Sequence, residues 1–373
     1  MKLILVLTFL TALALCEHVQ YAIRRGDVKC RGVNLGGWLV LEHWMTWDSP
    51  AWRDVPEDVA NRGEHQMMKL RGHAQDGLIR QHRQNWITEQ DIAEISQRGL
   101  NSVRVPVGYW ITEDKTGGQD WKLFTPGAIN YLDVLVRDWA KKHNIAVMVS
   151  LHAAKGSQNG NDHSAPADSG KEYWSQYPEN VANTIDVIAF LTERYKDDEA
   201  FLGVGMLNEP GGSTDQNIMR KFYTDTYNRV RKHSDCILSH MPFLSEQRPW
   251  SQDWASFMKA SEGFRNVWHE WHKYLYWGYE SLNEDQILAV ARGELTNDFK
   301  NWQGNYLVDG EWSLTTAAKF YDDNRLREFA RAYVGALNNG HAGWFYWTWK
   351  VSGDESGGRN TWSMRRMLRD NIL

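Results

Sequence analysis

The sequence predicts a single α/β domain folded as an eight-stranded (β/α)8 barrel of the TIM type. Three observations indicate this fold. Eight short apolar segments end in polar residues, amphipathic segments with helical spacing separate many of them, and 373 residues are enough for one such barrel. The apolar segments are continuous, which is typical of parallel strands buried on both faces. No linker, change of composition or fixed-period repeat divides residues 17–373, so we expect one domain.

The predicted strands are spread along the whole chain. They are Cys30–Leu35, Ser102–Pro106, Ala146–His152, Phe201–Glu209, Cys236–Ser239, Asn266–Glu270, Tyr306–Glu311 and Gly343–Trp347. Between them, Thr88 and Asp91 form a capping box that predicts a helix start, and apolar stripes predict helices over 129–139, 181–195 and 219–230. The stretches 44–77 and 156–171 lack a period, so we expect loops over one end of the barrel.

Residues 1–16 are predicted to be a secretory signal peptide. Lys2 precedes an apolar run from Leu3 to Cys16, which is shorter than the ~20 residues that a membrane span needs. A non-cleaved anchor is the alternative. We therefore expect a secreted protein, extracellular or in the cell wall, with no other membrane contact and a monomeric state. After cleavage, Cys30 and Cys236 remain, which permits one disulfide without showing that the two residues meet.

Charge and aromatic content narrow the ligand class. The chain has 42 Lys and Arg against 47 Asp and Glu, a net charge of −5, which argues against nucleic-acid binding because that requires clustered positive charge. The 20 Trp residues stand beside 15 Tyr and 12 Phe. Most are expected in the core, while the rest offer flat stacking surfaces to a ligand.

Side chains at the carboxyl ends of barrel strands converge on one mouth. Glu209 and Glu311 are separated by about three β/α units, so they can face each other there. Two carboxyl groups in different surroundings can divide the acid and nucleophile or base roles of glycoside hydrolysis. From position alone, two unrelated surface glutamates remain the alternative. The strand ends supply Arg104, His152, Asn208, Glu209, Glu311 and Trp347.

Several segments in a fixed order carry a family resemblance. They are Arg31–Glu42, Trp86–Asp91, Leu100–Trp110, Ser150–His152, Gly156–Gly160, Leu207–Pro210, Gly310–Ser313 and Trp344–Lys350. In this order they resemble glycoside hydrolase family 5, in its fungal exo-β-1,3-glucanase branch, and the resemblance extends from about residue 30 to residue 362.

The resemblance implies a retaining mechanism that requires no cofactor and no metal. In it, Glu209 is the acid/base and is expected to have a raised pKa, whereas Glu311 is the nucleophile and is expected to be ionised beside Arg104. Asn208 resembles the residue that bonds the sugar 2-hydroxyl.

Further positions resemble the family's substrate contacts. His152 and Glu42 resemble residues that bind glucose hydroxyls, and Trp347 resembles the stacking floor, for which Trp349 is the alternative. Tyr274 is expected to bond the nucleophile, with His272 beside it.

The segment His269-Glu-Trp-His272 raises the question of zinc. Metalloprotease histidines stand four residues apart on a helix, whereas an odd offset on a strand puts these two side chains on opposite faces. We therefore expect no metal site.

Some positions depart from the family pattern around the substrate. Asn161 replaces an aromatic residue of the acceptor clamp, whose partner we expect to be Trp277. His163 replaces an amide that touches the sugar, and Lys273 replaces a histidine. These departures leave the carboxylate pair intact, so we expect the chemistry to be kept while the preferred linkage or acceptor shifts.

The sequence thus predicts a secreted exo-β-1,3-glucanase that releases glucose from the non-reducing ends of a β-glucan. The first alternative is a β-1,6-glucanase or a β-glucosidase on the same scaffold. A catalytically silent carbohydrate-binding barrel and an endo-acting cellulase or mannanase are further alternatives. The segment Arg31–Glu42 argues against the endo-acting enzymes, because it resembles the exo-glucanase branch.

Overall fold

The structure, a computed structural model, describes residues 17–243, 252–354 and 359–373, apart from the side chains of residues 252 and 253. The predicted signal peptide, residues 1–16, lies outside the described residues.

Eight parallel strands close into a barrel in sequence order, which confirms the predicted (β/α)8 fold. Each strand pairs with the next, and pairing of Cys30 with Gly343 joins the first strand to the last. The strands are β1 (Cys30–Asn34), β2 (Ser102–Gly108), β3 (Ala146–Ala153), β4 (Phe201–Gly205), β5 (Ile237–His240), β6 (Val267–His272), β7 (Tyr306–Trp312) and β8 (Gly343–Tyr346).

Helices surround the barrel. α6 begins at the predicted capping box, in which the Thr88 side chain accepts from the Asp91 N–H and the Asp91 side chain accepts from the Thr88 N–H. The helices are α1 (Val19–Arg25), α2 (His43–Thr46), α3 (Glu57–Ala60), α4 (Glu64–Arg71), α5 (Asp76–Trp86), α6 (Glu89–Gln97), α7 (Ala128–Val134), α8 (Ala140–Lys142), α9 (Pro178–Tyr195), α10 (Gln216–Val230), α11 (Gln252–Ala255), α12 (Glu284–Val290), α13 (Thr296–Lys300), α14 (Asp323–Leu337) and α15 (Met364–Arg369). A π-helical turn joins α7 to α8, and another joins α12 to α13.

The prediction for the end of β4 is wrong. The strand ends at Gly205, and the apolar residues that follow do not continue the ladder. Instead, the Met206 N–H donates to Ser239 O at 3.0 Å and the Asn208 N–H donates to Leu151 O at 3.0 Å. At Glu209 the backbone turns into the left-handed region with φ 47°. This turn is a tertiary feature, because the apolar composition of the segment fits a strand equally well.

The prediction of a loop over residues 44–77 is also wrong. The segment contains α3, α4 and shorter helical turns, which build a second apolar cluster with Trp52, Met67 and Ile79. Buried Glu64 anchors this layer by accepting from the Leu41 N–H at 2.9 Å. The neighbouring Glu42 is thereby held at the mouth of the barrel. The other predicted loop, 156–171, has one 3-10 turn, Asp162–Ser164.

The two cysteines are both buried and unpaired. Cys30 lies on β1 and Cys236 directly precedes β5, on the opposite side of an eight-stranded barrel. The disulfide that the sequence permits is therefore absent. Burial raises the pKa of the Cys30 thiol to about 12.

Within residues 17–243, 252–354 and 359–373, no helix has the length and apolar character of a membrane span.

Candidate active site

A cavity of about 750 Å³ opens at the carboxyl ends of the strands. Strands β3, β6 and β7 contribute His152, His272 and Glu311 to its wall, and the connections after the strands contribute the rest. The lining residues are Glu42, Trp44, His152, Asn161, Asp162, His163, Glu209, His272, Lys273, Tyr274, Trp277, Tyr279, Glu311, Trp347 and Trp362.

The two predicted carboxylates meet in this cavity. One oxygen of Glu209 and one of Glu311 lie within 4.8 Å of each other. Glu311 stands on β7, whereas Glu209 follows β4 by four residues and is held by its backbone. Asn159 Nδ2 donates to the Glu209 carbonyl at 3.0 Å, and Gln158 Nε2 donates to the Asn208 carbonyl at 2.8 Å. The connection after β3 therefore fixes the position from which the Glu209 side chain enters the cavity.

Arg104 organises the floor of the site. It is 1% exposed, and its Nη1 donates to Asn34 Oδ1 and to Glu311 Oε1, both at 2.9 Å. Its Nη2 donates to Asn208 Oδ1 at 2.7 Å and lies 3.0 Å from Glu270 Oε1. A planar guanidinium suits this arrangement because its donors point in fixed directions.

Glu311 is held through both of its oxygens. Oε1 accepts from Arg104, and Oε2 accepts from Tyr274 OH at 2.9 Å. Burial raises the pKa of Glu311, and the charge of Glu209 adds to this, while His272 and Arg104 oppose the increase.

His272 stands between two carboxylates. Its Nδ1 lies 2.7 Å from Glu209 Oε1, and its Nε2 lies 3.3 Å from Glu270 Oε1. Each ring nitrogen faces a carboxylate oxygen, which favours a cationic imidazole that donates from both nitrogens, whereas Arg104 Nη2, 3.5 Å from Nε2, opposes the charge. Burial opposes this charge, but Glu311 and the hydrogen bonds to Glu209 and Glu270 raise the pKa of His272 to about 10. Burial would likewise raise the pKa of Glu270, but Arg104 and His272 lower it to about 2.

A second histidine, His163, faces the other oxygen of Glu209. Its Nε2 lies 3.3 Å from Glu209 Oε2. Burial alone would raise the pKa of Glu209, but the hydrogen bonds and charges of His163 and His272 hold it well below its usual range. The expectation of a raised pKa for Glu209 is therefore wrong, because an imidazole stands at each carboxylate oxygen.

Two buried groups offer unused hydrogen-bonding capacity. Within the described part of the chain, Glu42 Oε1 and Asn208 Nδ2 have no hydrogen-bond partner. Glu42 Oε2 accepts from Trp44 Nε1 at 2.9 Å, and Asn208 Oδ1 accepts from Arg104, so the second atom of each group keeps its hydrogen-bonding capacity. Glu42 lines the cavity, whereas Asn208 lies beside Glu209 beneath the lining residues. Burial and the charge of Asp162 raise the pKa of Glu42 to about 8.

Aromatic rings form two surfaces of the cavity. Trp347 is buried and stacks on His152, with ring centroids 5.4 Å apart and planes parallel. Trp349 instead lies in the core, where its Nε1 donates to Asp91, so Trp347 is the residue that faces the cavity. Trp277 is 60% exposed and contacts Tyr274 and Trp362 at centroid distances of 5.4 and 6.2 Å. Asn161 provides an exposed, non-aromatic part of the wall.

Ligand atoms of Glu209, His272 and Glu311 lie within 4.8 Å of one another, which is a spacing that a cation site could have. His272 donates to Glu209, and Arg104 and Tyr274 donate to Glu311, so the acceptor atoms are already engaged. The guanidinium beside them also repels a cation. His269 lies on the opposite face of β6, as the alternation predicts, with Trp302 at a centroid distance of 4.5 Å.

The sequence analysis assigned no role to six groups in or beside the cavity, which are Asn34, Trp44, Asp162, Glu270, Tyr279 and Trp362. Strand alternation could have identified Glu270, because it stands two residues before His272 on the same face. The position of Asn34 at the end of β1 carries the same signal as the other strand ends. Trp362 follows β8 in a segment without a period, so no pattern indicated it.

Comparisons with known proteins identify the family of this chain. The family described as Cellulase (glycosyl hydrolase family 5) matches residues 61–353. A glucan 1,3-beta-glucosidase of Blumeria graminis is 30% identical, over 90% of this chain and 85% of the relative, and one of Candida oleophila is 29% identical, over 87% and 84%.

Among solved structures, the rutinosidase from Aspergillus niger shares the fold with a TM-score of 0.75 at 17% identity, over 94% of this chain and 99% of that one. The chain belongs to glycosyl hydrolase family 5 and is a glycoside hydrolase built on a (β/α)8 barrel.

Proposed function

We propose that this glycoside hydrolase is a secreted, monomeric, retaining exo-β-1,3-glucanase that releases glucose from the non-reducing ends of a β-glucan. One observation carries the retaining mechanism: carboxylate oxygens of Glu209 and Glu311 lie within 4.8 Å of each other. Retaining glycosidases hold their two carboxyl groups about 5–5.5 Å apart, whereas inverting enzymes need about 6.5–9.5 Å to place a water between carboxylate and sugar.

In the proposed mechanism, Glu311 is the nucleophile. Its carboxylate attacks the anomeric carbon while Glu209 protonates the departing glycosidic oxygen, and a glucosyl ester forms on Glu311. A water then attacks the ester as Glu209 takes a proton from it. Arg104 and Tyr274, which hold Glu311, orient it for the attack and stabilise its charge when the ester breaks.

The first sugar ring is proposed to lie on Trp347, between Glu42 and the carboxylate pair. Asn208 Nδ2 is proposed to donate to the 2-hydroxyl, while Glu42 and His152 bond other hydroxyls. Buried polar groups with unused capacity favour a hydroxyl-rich ring, because leaving such groups unpaired costs about 1–3 kcal/mol each. The names of the two relatives support a β-1,3-linked substrate.

The acceptor side supports a second candidate. Asn161 is not aromatic, so Trp277 and Trp362 form a one-sided surface in place of a clamp. A one-sided surface fits a β-1,6-linked sugar or an apolar aglycone as readily as a β-1,3-linked glucose. β-1,6-glucanase or β-glucosidase activity is therefore the alternative.

The carboxylate roles are tested with Glu311→Gln and Glu209→Gln on aryl β-glucosides. Glu311→Gln is expected to reduce turnover at least ~10³-fold with the fold intact, because the nucleophile is lost. Glu209→Gln is expected to form the glucosyl ester rapidly only when the leaving group is a dinitrophenolate, which needs no proton. Glu57→Gln, an exposed carboxyl on α3, is the control. Turnover like that of the unmodified protein in Glu311→Gln would contradict the assignment.

Linkage and stereochemistry are tested on β-1,3-, β-1,4- and β-1,6-linked glucose disaccharides and on a long β-1,3-glucan. The proposal expects fastest cleavage of the β-1,3 linkage, glucose as the only early product, and β-glucose as the first anomer in proton NMR. A ladder of oligosaccharides would indicate endo cleavage, and α-glucose as the first anomer would contradict retention.

A further inference from the structure

His163 stands where the family pattern has an amide side chain. Its closest charged neighbour is Glu209. His163 lies on the 3-10 turn Asp162–Ser164, with a side chain 17% exposed at the cavity wall. Its Nε2 is 3.3 Å from Glu209 Oε2, while Glu209 Oε1 is occupied by His272 Nδ1 at 2.7 Å. His163 therefore stands at the oxygen that remains for a proton.

The surroundings of His163 provide a partner for each of its protonation states. When Nε2 carries a proton, it donates to Glu209 Oε2. When Nε2 is bare, it accepts from Asn159 Nδ2, which lies 2.9 Å away. When Nε2 is protonated, it faces the same amide N–H, so this contact favours release of the proton to Glu209. The orientation of the Asn159 amide is set independently, because its Nδ2 donates to the Glu209 carbonyl and its Oδ1 accepts from the Asn161 N–H. Nδ1 lies 3.9 Å from Asp162 Oδ1, whose charge favours a proton on the ring.

Charged groups from each neighbouring element face this pair. Asp162, Glu42 and Glu209 favour the protonated form of His163, whereas burial and the neighbouring ring of His152 disfavour it. The groups that face Glu209 from β2, β3, β6 and β7 and from the connections after β3 and β6 are Arg104, His152, His163, His272, Tyr274 and Glu311. Because His272 is already a cation that donates to both Glu209 and Glu270, His163 is the neighbour that can release a proton to Glu209 and keep a hydrogen bond.

We propose that His163 stores the proton that Glu209 delivers to the leaving oxygen, and so acts as a positioning residue for the acid/base. This inference rests on the proposed function. A proton moves from His163 Nε2 to Glu209 Oε2, and Glu209 then transfers it to the glycosidic oxygen as the bond to the anomeric carbon breaks. In the second half-reaction, the attacking water gives one proton to Glu209, which returns it to His163. One proton leaves with the alcohol and one arrives from water, so the protein ends as it began.

The coupling is tested first without any substrate, by NMR titration of the imidazole nitrogens in the full chain. His163 is assigned by the signal that disappears in His163→Asn. In the unmodified protein, His163 is expected to stay protonated to about pH 9, because Glu209 outweighs the effect of burial on its pKa. In Glu209→Gln, its midpoint is expected to fall by at least one pH unit. An equal midpoint in both proteins would overturn the inference.

The role in catalysis is tested by the pH dependence of kcat/KM in His163→Asn. Without His163, the acid proton must reside on Glu209 itself beside the cationic His272, where it is lost at lower pH. The basic limb is therefore expected to move at least one unit toward acid with an alkyl β-glucoside and to stay in place with a dinitrophenyl β-glucoside. His143→Asn, which removes an imidazole 3.2 Å from Glu89 outside the cavity, is the matched control with no expected shift.

The outcomes separate this inference from the proposed function. An increase in KM with an unmoved basic limb would mean that His163 only binds sugar, and would overturn the inference while leaving the hydrolase intact. Absence of β-glucoside hydrolysis by the unmodified protein would refute the proposed function. In that case, the NMR midpoints would still decide whether His163 and Glu209 share a proton.

Discussion

At the residue scale, the cavity is a balanced set of charges. Glu209, Glu270 and Glu311 face Arg104, His163 and His272, and the contacts shorter than 3.5 Å join opposite charges, while Arg104 Nη2 and His272 Nε2 lie 3.5 Å apart. Removing any one of these groups leaves a buried charge uncompensated, which costs several kcal/mol. The arrangement therefore lets three carboxylates ionise in a buried space, as the roles proposed for Glu311 and Glu209 require.

Glu42 lies at the edge of this set and lacks a cationic partner within hydrogen-bonding distance among the described residues. Burial and Asp162 raise the pKa of Glu42 to about 8. The folded protein therefore holds more protons than the unfolded chain between about pH 4.5 and pH 8, so this group's contribution to stability is lost as pH rises through that window.

Glu42→Gln removes this dependence. We expect the variant to match the unmodified protein in thermal midpoint near pH 4 and to exceed it by roughly 5 °C at pH 9. Thermal unfolding followed by near-UV circular dichroism at several pH values measures the difference. Parallel pH profiles for the two proteins would show that Glu42 ionises normally.

At the element scale, most of the architecture could be predicted from local pattern, and the exceptions have physical causes. β1, β3 and β7 start where the apolar runs predict because burial on both faces leaves a continuous apolar signature. The pattern could not show that β4 ends at Gly205 and that the backbone turns at Glu209, because contacts with the neighbouring strands and with the connection after β3 decide it. Likewise, α3 and α4 escaped prediction because they are short and packed on a separate small cluster. The sequence indicated both carboxylates and placed His272 beside Glu311, but it did not show that His163 and His272 each face an oxygen of Glu209, because tertiary contacts set these distances.

Asp91, in the capping box of α6, also contacts residues outside this helix. Asp91 caps the helix through Thr88, and its Oδ1 also accepts from Trp349 Nε1 at 2.9 Å and Lys350 Nζ at 3.1 Å. One side chain thus ties α6 to the segment that follows β8 and carries Trp347 to the cavity.

Separate replacements of Thr88 and Asp91 should distinguish the capping of α6 from the link to the segment that follows β8. Thr88→Ala is expected to cost about 1 kcal/mol, the usual value of an N-cap. Asp91→Ala is expected to cost about 3 kcal/mol, because it also leaves Lys350 and the Trp349 N–H without their buried partner. Asp91→Asn, which keeps an acceptor, should fall between them. Urea unfolding followed by tryptophan fluorescence measures all three, and equal losses for Thr88→Ala and Asp91→Ala would contradict the link to β8.

At the scale of the whole molecule, the fold depends on closure of the barrel between its first and last strands. β1 and β8 pair at Cys30 and Gly343, and we call this pairing the β1–β8 seam. The site depends on the seam, because Asn34 ends β1 and Trp347 directly follows β8. Gly343 has φ 95°, and a Cβ there would lie 2.0 Å from the Cys30 carbonyl oxygen. The obstacle is backbone in a paired strand, so it cannot move aside without opening the ladder.

Gly343→Ala is therefore expected to destabilise the whole domain by at least ~3 kcal/mol, through both the left-handed φ and the contact with Cys30. The matched control is Gly335→Ala in α14, where a Cβ would meet nothing within 4 Å. That change is expected to stabilise the protein by about 0.5–1 kcal/mol, because it lowers the entropy of the unfolded chain without steric cost. Thermal midpoints of the purified variants measure both effects. If Gly343→Ala does not accumulate as folded protein while Gly335→Ala does, the expected loss of stability is also met. A thermal midpoint for Gly343→Ala within 2 °C of that of the unmodified protein would contradict this. It would mean that the pairing of β1 with β8 adjusts without loss of stability and that the surrounding helices keep the barrel closed.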